Sequence, residues 1–317
     1  MMKSKVVVIT GARTGIGREA AIQFAKAGHT VVMGCRNLEK SRQVQDEVIR
    51  LSENEQVFLL PLDCSDMASL SRFSDALHEQ FQAVDVLIHN AAYVEHGAPH
   101  KLGDCHVELT FFTNVVAPFV LTLACRDLLQ KSDDPRVLHA GSNIIKHYFD
   151  PQKHIDLERL KGPWQGDDFS VYAMYQQSKI ALVMLNFKMA DRLKEDGIAV
   201  NALQINGAKL SRDTLAKMSL KWRVTGRLQS LFLKHPSYMA ERYVRLTTDE
   251  AFKGMTGLLF NDELAVMKPA PSRDLTFLDN IRLVSGKSHY PFYAQDQQDT
   301  ERVWAFCEQI VGKKALS

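Results

Sequence analysis

The stretch KVVVITGARTGIGREAAIQFAKAG, residues 5–28, decides the fold. VVVIT is an unbroken apolar run, the pattern of a parallel strand covered on both faces. It leads without a spacer into TGARTGIG (10–17), and a helical pattern follows that stops at Gly28. Gly11, Gly15 and Gly17 permit a tight turn and let backbone N–H groups approach a pyrophosphate, while the helix N-terminus adds its dipole. Arg13, Thr14 and Ile16 complete the loop. A glycine trio alone signals no more than a turn. Between a strand and a helix, this one reads as a dinucleotide cradle.

The rhythm continues outward. After KVVVIT (5–10), strand candidates are TVVMGC (30–35), QVFLLP (56–61), VDVLIH (84–89), RVLHAG (136–141) and IAVNALQI (198–205). Helical patterns such as LEKSRQVQDEVIRLSE lie between them. Strand, helix and strand repeated in this way predict an α/β fold, a doubly wound parallel sheet with helices on both faces. Two stretches break the pattern. Residues 143–170 hold Pro151, Gly162, Pro163 and Gly166 and read as a long loop, and residues 206–255 read as helices without a strand. Loops that leave the carboxyl ends of strands carry the site in such folds, so both are expected walls of a pocket.

Composition narrows the class. With 317 residues, 45% apolar and 24% charged, the chain has room for a substantial core. A net charge of +2 supplies no field for nucleic acid. Cys35, Cys64, Cys105, Cys125 and Cys307 form no CxxC pair, which points to reduced cytosolic thiols and away from a zinc site or disulfide framework. VVVIT begins too early to leave space for a signal peptide, and no apolar run approaches the roughly 20 residues that span a bilayer. The expectation is a cytoplasmic protein without a metal.

YAMYQQSK (172–179) contains the one tyrosine of eight, Tyr175, that has a lysine four positions downstream. Residues i and i+4 share a helix face. An ammonium beside a phenol lowers a pKa that starts near 10, so Tyr175 with Lys179 is a candidate acid/base. The bland reading is a surface tyrosine near a lysine. Tyr172 has Gln176 at the same offset and reads as a pocket or packing residue.

The spacing Gly-x-x-x-Gly-x-Gly resembles the short-chain dehydrogenase/reductase family, and the resemblance continues along the chain. His89-Asn90-Ala91-Ala92 is similar to that family's Asn-Asn-Ala-Gly segment. Asn114 in TNVVAPF, Ser142 in HAGSN and the Tyr175/Lys179 pair follow in the family's order. Gly207 and Ser211 in INGAKLS resemble the Pro-Gly-x-x-x-Thr segment that closes over the nicotinamide. The resemblance implies a single Rossmann-type domain of about seven strands in the order 3-2-1-4-5-6-7. Its core would span 5–260, with a helical substrate lid over about 207–250 and a C-terminal extension over 261–317. It also implies that Ser142 holds the substrate oxygen, Lys179 binds ribose hydroxyls, Asn114 supports a water-mediated proton path and Asn90 belongs to the cofactor site. Homo-oligomers formed through helices beginning near residues 106 and 172 are a further implication. TGARTGIG with VVMGCRNLEK, and the C-terminal DQQDTERVWAFCEQIVG, resemble the retinol dehydrogenase-like branch.

Cofactor choice turns on the end of the second strand. NAD users place a carboxylate there for the ribose 2′-OH, whereas this chain has Cys35-Arg36-Asn37. A guanidinium suits a 2′-phosphate, so NADP is favoured over NAD, with Arg13 as a second cation. The alternatives are that Arg36 or Arg13 faces solvent. Asp63 resembles the family's adenine-contacting aspartate or else caps the next helix. Ala92 and Asn206 stand where Gly and Pro are usual, and Gly141 replaces a common serine. Residues 209–245 mix Leu210, Leu215, Met218, Leu220, Trp222, Leu228, Leu231, Phe232 and Leu233 with Lys and Arg. Amphipathic helices of that kind could cover a lipophilic carbonyl or alcohol substrate and touch an anionic membrane surface lightly. Two rivals stay open: a non-catalytic dinucleotide sensor, and a sugar-nucleotide epimerase or dehydratase, for which Gly15 and Gly17 are spaced wrongly.

Overall fold

The computed structural model describes residues 3–94, 101–149, 155–157, 160, 170–206, 233–272 and 275–312. Strands β1 (Val6–Thr10), β2 (Thr30–Cys35), β3 (Val57–Pro61), β4 (Val86–His89), β5 (Arg136–Ala140), β6 (Ala199–Leu203) and β7 (Leu258–Phe260) form one sheet. Its order is β3-β2-β1-β4-β5-β6-β7 and every pairing is parallel. The chain reverses direction across the sheet between β1 and β4, which opens a crevice at their carboxyl ends. The six expected strands are present within two residues of their expected ends, because each is an apolar run stopped by turn residues.

Alternate residues of one strand feed opposite cores. Val7 and Ile9 of β1 pack with Phe24 of α1 (Gly15–Lys26), Val48 of α2 (Leu38–Ser52) and Tyr243 of helix Pro236–Thr248. Val8, between them, faces Phe73 of α3 (Met67–Gln80) and the other layer. That layer starts with α4 (Leu109–Phe111), which passes through a π turn (Phe112–Val116) into α5 (Ala117–Ala124) and α6 (Arg126–Gln130). It continues with α7 (Val171–Arg192). Helix Pro236–Thr248 is α8. Beyond β7, β8 (Lys268–Pro269) pairs with β9 (His289–Tyr290) around α9 (Phe277–Ser285), and α10 (Gln297–Val311) packs on α7. No periodic signal foretold the β8–β9 pair, which is two residues long. Residues 207–232, which hold most of the expected lid and both Gly207 and Ser211, lie outside the described residues. Of the long loop expected over 143–170, residues 143–148 form a 3₁₀ helix. Among the described residues, no helix is long and apolar enough to cross a membrane.

At the centre of the sheet His89 and His139 lie in register and stack, with ring centroids 5.1 Å apart. His89 Nε2 meets Thr122 Oγ1 at 2.8 Å, and His139 Nδ1 meets Asn186 Oδ1 at 3.0 Å. Burial pushes both imidazoles down, His139 to about 4, and keeps them neutral. An unfolded histidine titrates near 6.5, so below that pH the unfolded chain binds protons that the folded one refuses. Stability should therefore be full above about pH 6.5 and fall by up to about 1.4 kcal/mol per pH unit per histidine as pH drops toward 5. Urea unfolding between pH 7 and 5 measures this, and a flat profile would contradict a buried neutral pair.

Candidate active site

The glycine loop is held by close backbone packing. Gly11 has φ +69°, and a Cβ there would lie 3.0 Å from Ala91 Cα. At Gly17 a Cβ would fall 2.5 Å from Asn90 Nδ2 and 2.6 Å from the Gly11 carbonyl. The first clash is with backbone and the second leaves no room for any side chain, which accounts for both glycines. Asn90 braces the loop by donating from Nδ2 to the carbonyls of Thr10 (3.0 Å) and Gly11 (3.2 Å). Its Oδ1 accepts from the buried Tyr243 hydroxyl of α8 at 3.2 Å. Thr14 begins α1 without a side-chain cap, so the helix's first N–H groups stay available to an anion.

This loop forms one wall of a cleft of about 640 Å³ that also reaches Arg13, Arg36, Asp63, Asn90, Ser142, Tyr175 and Lys179. Gly15 lines it too, at φ +59°, and a Cβ there would meet nothing within 4 Å. Space beside an uncapped helix N-terminus is what a phosphate needs. Arg13 and Arg36 line the end of β2 with no acidic partner among the described residues. Arg36 is exposed and Arg13 half-buried, so both retain contact with water while facing the cleft. Asp63 does not cap α3: Asp66 does, accepting from Ala68 N at 2.9 Å. Asp63 instead accepts from Ser65 N (3.0 Å) and Ser65 Oγ (2.6 Å) and remains on the cleft wall.

At the opposite end the candidate catalytic groups converge. The Ser142 and Tyr175 side chains come together on the cleft wall across 33 residues of sequence, the first just past β5 and the second on α7. Ser142 Oγ also accepts from Ile144 N at 3.3 Å. Lys179 lies one helical turn past Tyr175, with Nζ 5.8 Å from the ring centroid, and donates to the Ala140 carbonyl at 2.8 Å. Burial lowers its pKa to about 8. The expected lowering of the Tyr175 pKa does not occur in the chain without a ligand. Burial raises it, opposed by the neighbouring Ser142 side chain, while Lys179 donates to the Ala140 carbonyl rather than to the phenol.

Asn114 sits inside the π turn, an irregularity that recurs at functional sites. Its Nδ2 donates to the Tyr93 carbonyl (3.1 Å) and Ser178 Oγ (3.0 Å), and its Oδ1 accepts from Tyr93 N (2.7 Å). Both amide hydrogens are thus engaged, and Asn114 ties the segment after β4 to α7 beside Tyr175. Of the two readings of Tyr172, packing fits: it is 44% exposed with its ring edge-on to His147, and it does not line the cleft among the described residues. The sequence reading missed Tyr93, Thr113, Asn143 and Ile205 on the cleft wall. Thr113, Asn143 and Ile205 lie inside recognised motifs and Tyr93 follows one, the signal that could have found them.

The short chain dehydrogenase family model matches residues 5–150. Human retinol dehydrogenase 13 is 28% identical over 316 residues, covering 99% of this chain and 86% of that protein. Bovine retinol dehydrogenase 12 is 30% identical over 261 residues, covering 81% of this chain and 78% of that one. Among solved structures, a short chain dehydrogenase from Escherichia coli CFT073 complexed with NADPH matches with TM-score 0.63 at 23% identity, over 83% of this chain and 98% of that one. A protein from Mycobacterium paratuberculosis of uncharacterised activity matches with TM-score 0.66 at 22% identity, over 98% and 95%. The ordered motifs, the sheet and these relatives agree: the chain belongs to the short-chain dehydrogenase family, in which it is similar to the retinol dehydrogenases.

Proposed function

We propose that the protein is an NADP(H)-dependent oxidoreductase that interconverts a lipophilic carbonyl compound and its alcohol, with Tyr175 as the general acid/base. The observation that carries this reading is the convergence of Ser142, Tyr175 and Lys179 on the wall of the cleft that the glycine loop also lines. The cleft suits the cofactor: open space at Gly15, an uncapped α1 and two cations beside β2 match a pyrophosphate and a 2′-phosphate. A bound reduced nicotinamide supplies hydride to the carbonyl carbon. Ser142 donates to the carbonyl oxygen and fixes its position, and Tyr175 passes its proton to that oxygen as negative charge develops there. The raised pKa of Tyr175 keeps the phenol protonated for this direction. Lys179, anchored on Ala140, holds its ammonium one turn away, where it stabilises the phenolate left behind and reaches ribose hydroxyls. Asn114 keeps Tyr93 and α7 in register for both.

The lipophilic preference draws on the names of the relatives and on the apolar residues that follow Gly207. A homologous series of straight-chain aldehydes with NADPH tests it. Each buried CH₂ is worth about 0.8 kcal/mol, so kcat/KM should rise several-fold per methylene until the pocket is full. A flat series would remove the lipophilic pocket and leave the hydride chemistry standing. No turnover with any carbonyl would remove both.

A further inference from the structure

Asn206 stands where the family pattern has proline, and proline would fix φ at that point. The structure supplies a different restraint. Asn206 Nδ2 donates to Asp262 Oδ1 at 2.7 Å, and Asn206 Oδ1 accepts from Gln204 Nε2 at 3.1 Å. Asp262 follows β7 and is only 3% exposed. Its carboxylate is paired with Lys287 Nζ at 3.2 Å, from the turn between α9 and β9. Its backbone carbonyl accepts from Tyr238 OH (2.9 Å) and Arg242 Nε (3.2 Å), both on α8. A buried carboxylate held on this many sides is a rigid anchor. The residue before Asn206, Ile205, lines the cleft, and its carbonyl accepts from Asn143 N at 3.0 Å, next to Ser142.

We propose that Asp262 is a positioning residue that sets the cleft wall at Ile205 by holding Asn206, so that a side-chain hydrogen bond does here what proline's ring does elsewhere. The region after β7 thereby acquires a role in the site. Lys287 balances the buried charge, and Tyr238 and Arg242 fix the height of the turn. The consequence for the cofactor rests on the NADP(H) reading above, whereas the restraint itself does not.

The test combines Asp262→Ala, Asp262→Asn, Asn206→Ala and Asn206→Pro, the last alone and with Asp262→Ala. Asn206 N–H makes no hydrogen bond among the described residues, so proline removes none. Amide hydrogen exchange of the cofactor-free protein over residues 203–206 reads the restraint, and NADPH titration by fluorescence reads its consequence. Asp262→Ala should speed exchange there and weaken NADPH binding about tenfold, the scale of one hydrogen bond to a charged group. Asp262→Asn keeps an acceptor for Asn206 and should stay near wild type. Asn206→Pro should reverse both effects of Asp262→Ala. Unchanged exchange in Asp262→Ala, or an Asp262→Asn variant as impaired as the alanine one, overturns the proposal. So does failure of proline to rescue. If Asp262→Ala does not fold, Asn206→Ala breaks the same contact while leaving the Asp262–Lys287 pair, and unchanged exchange there overturns it equally. A wild-type chain that binds neither NADPH nor NADH defeats the oxidoreductase reading, and the exchange arm still decides the restraint.

Discussion

Tyr175→Phe is expected to lower turnover at least about 10²-fold and leave NADPH affinity nearly unchanged. The substitution removes one hydroxyl and keeps the ring, so the packing of α7 survives. What would be lost is the proposed proton donor beside Ser142 on the cleft wall. The Lys179 contact with Ala140 does not involve the phenol, so the proposed cofactor contacts through the lysine should persist. Lys179→Ala should differ in kind. It strips the Ala140 carbonyl of its donor and removes the ammonium, so affinity and rate should fall together. Steady-state kinetics with a short aldehyde, alongside NADPH fluorescence titration, separates the two. A phenylalanine variant that retains most of the wild-type kcat would remove Tyr175 from the acid/base role.

Arg36→Asp is expected to reverse the cofactor preference. Arg36 lines the cleft at the end of β2, and no acid among the described residues neutralises it. A charge-assisted hydrogen bond to a 2′-phosphate is worth roughly 1.5–3 kcal/mol, about one to two decades in affinity. An aspartate in its place would repel that phosphate and accept instead from a ribose 2′-OH. The ratio of kcat/KM for NADPH to that for NADH should therefore cross unity. Arg13, half-buried on the glycine loop, would soften the change by holding part of the phosphate. An unchanged ratio would mean that Arg36 points away from the cofactor.

Residues 5–35 show what local chemistry is enough to determine. An apolar run, a glycine turn and an amphipathic helix ending at glycine each depend on neighbours within a few positions. Their conformations therefore follow from chain sterics and burial alone. The i, i+4 offset of Tyr175 and Lys179 is equally local, and it placed both residues on one helix face beside the cleft. The direction of the Tyr175 pKa was not local. It depended on where Lys179 found an acceptor, and that acceptor is the Ala140 carbonyl, 39 residues away on another element. Asp63 could be read from the sequence either as an adenine contact or as the cap of α3, and only the loop geometry gave the cap to Asp66. Asn206 read as a departure because the residue that compensates for it, Asp262, lies 56 positions later in a region without periodicity. Hydrophobic periodicity and turn chemistry specify which elements form. Which polar atoms meet is settled only when the sheet closes and burial obliges each donor to find whatever acceptor the fold has brought within reach.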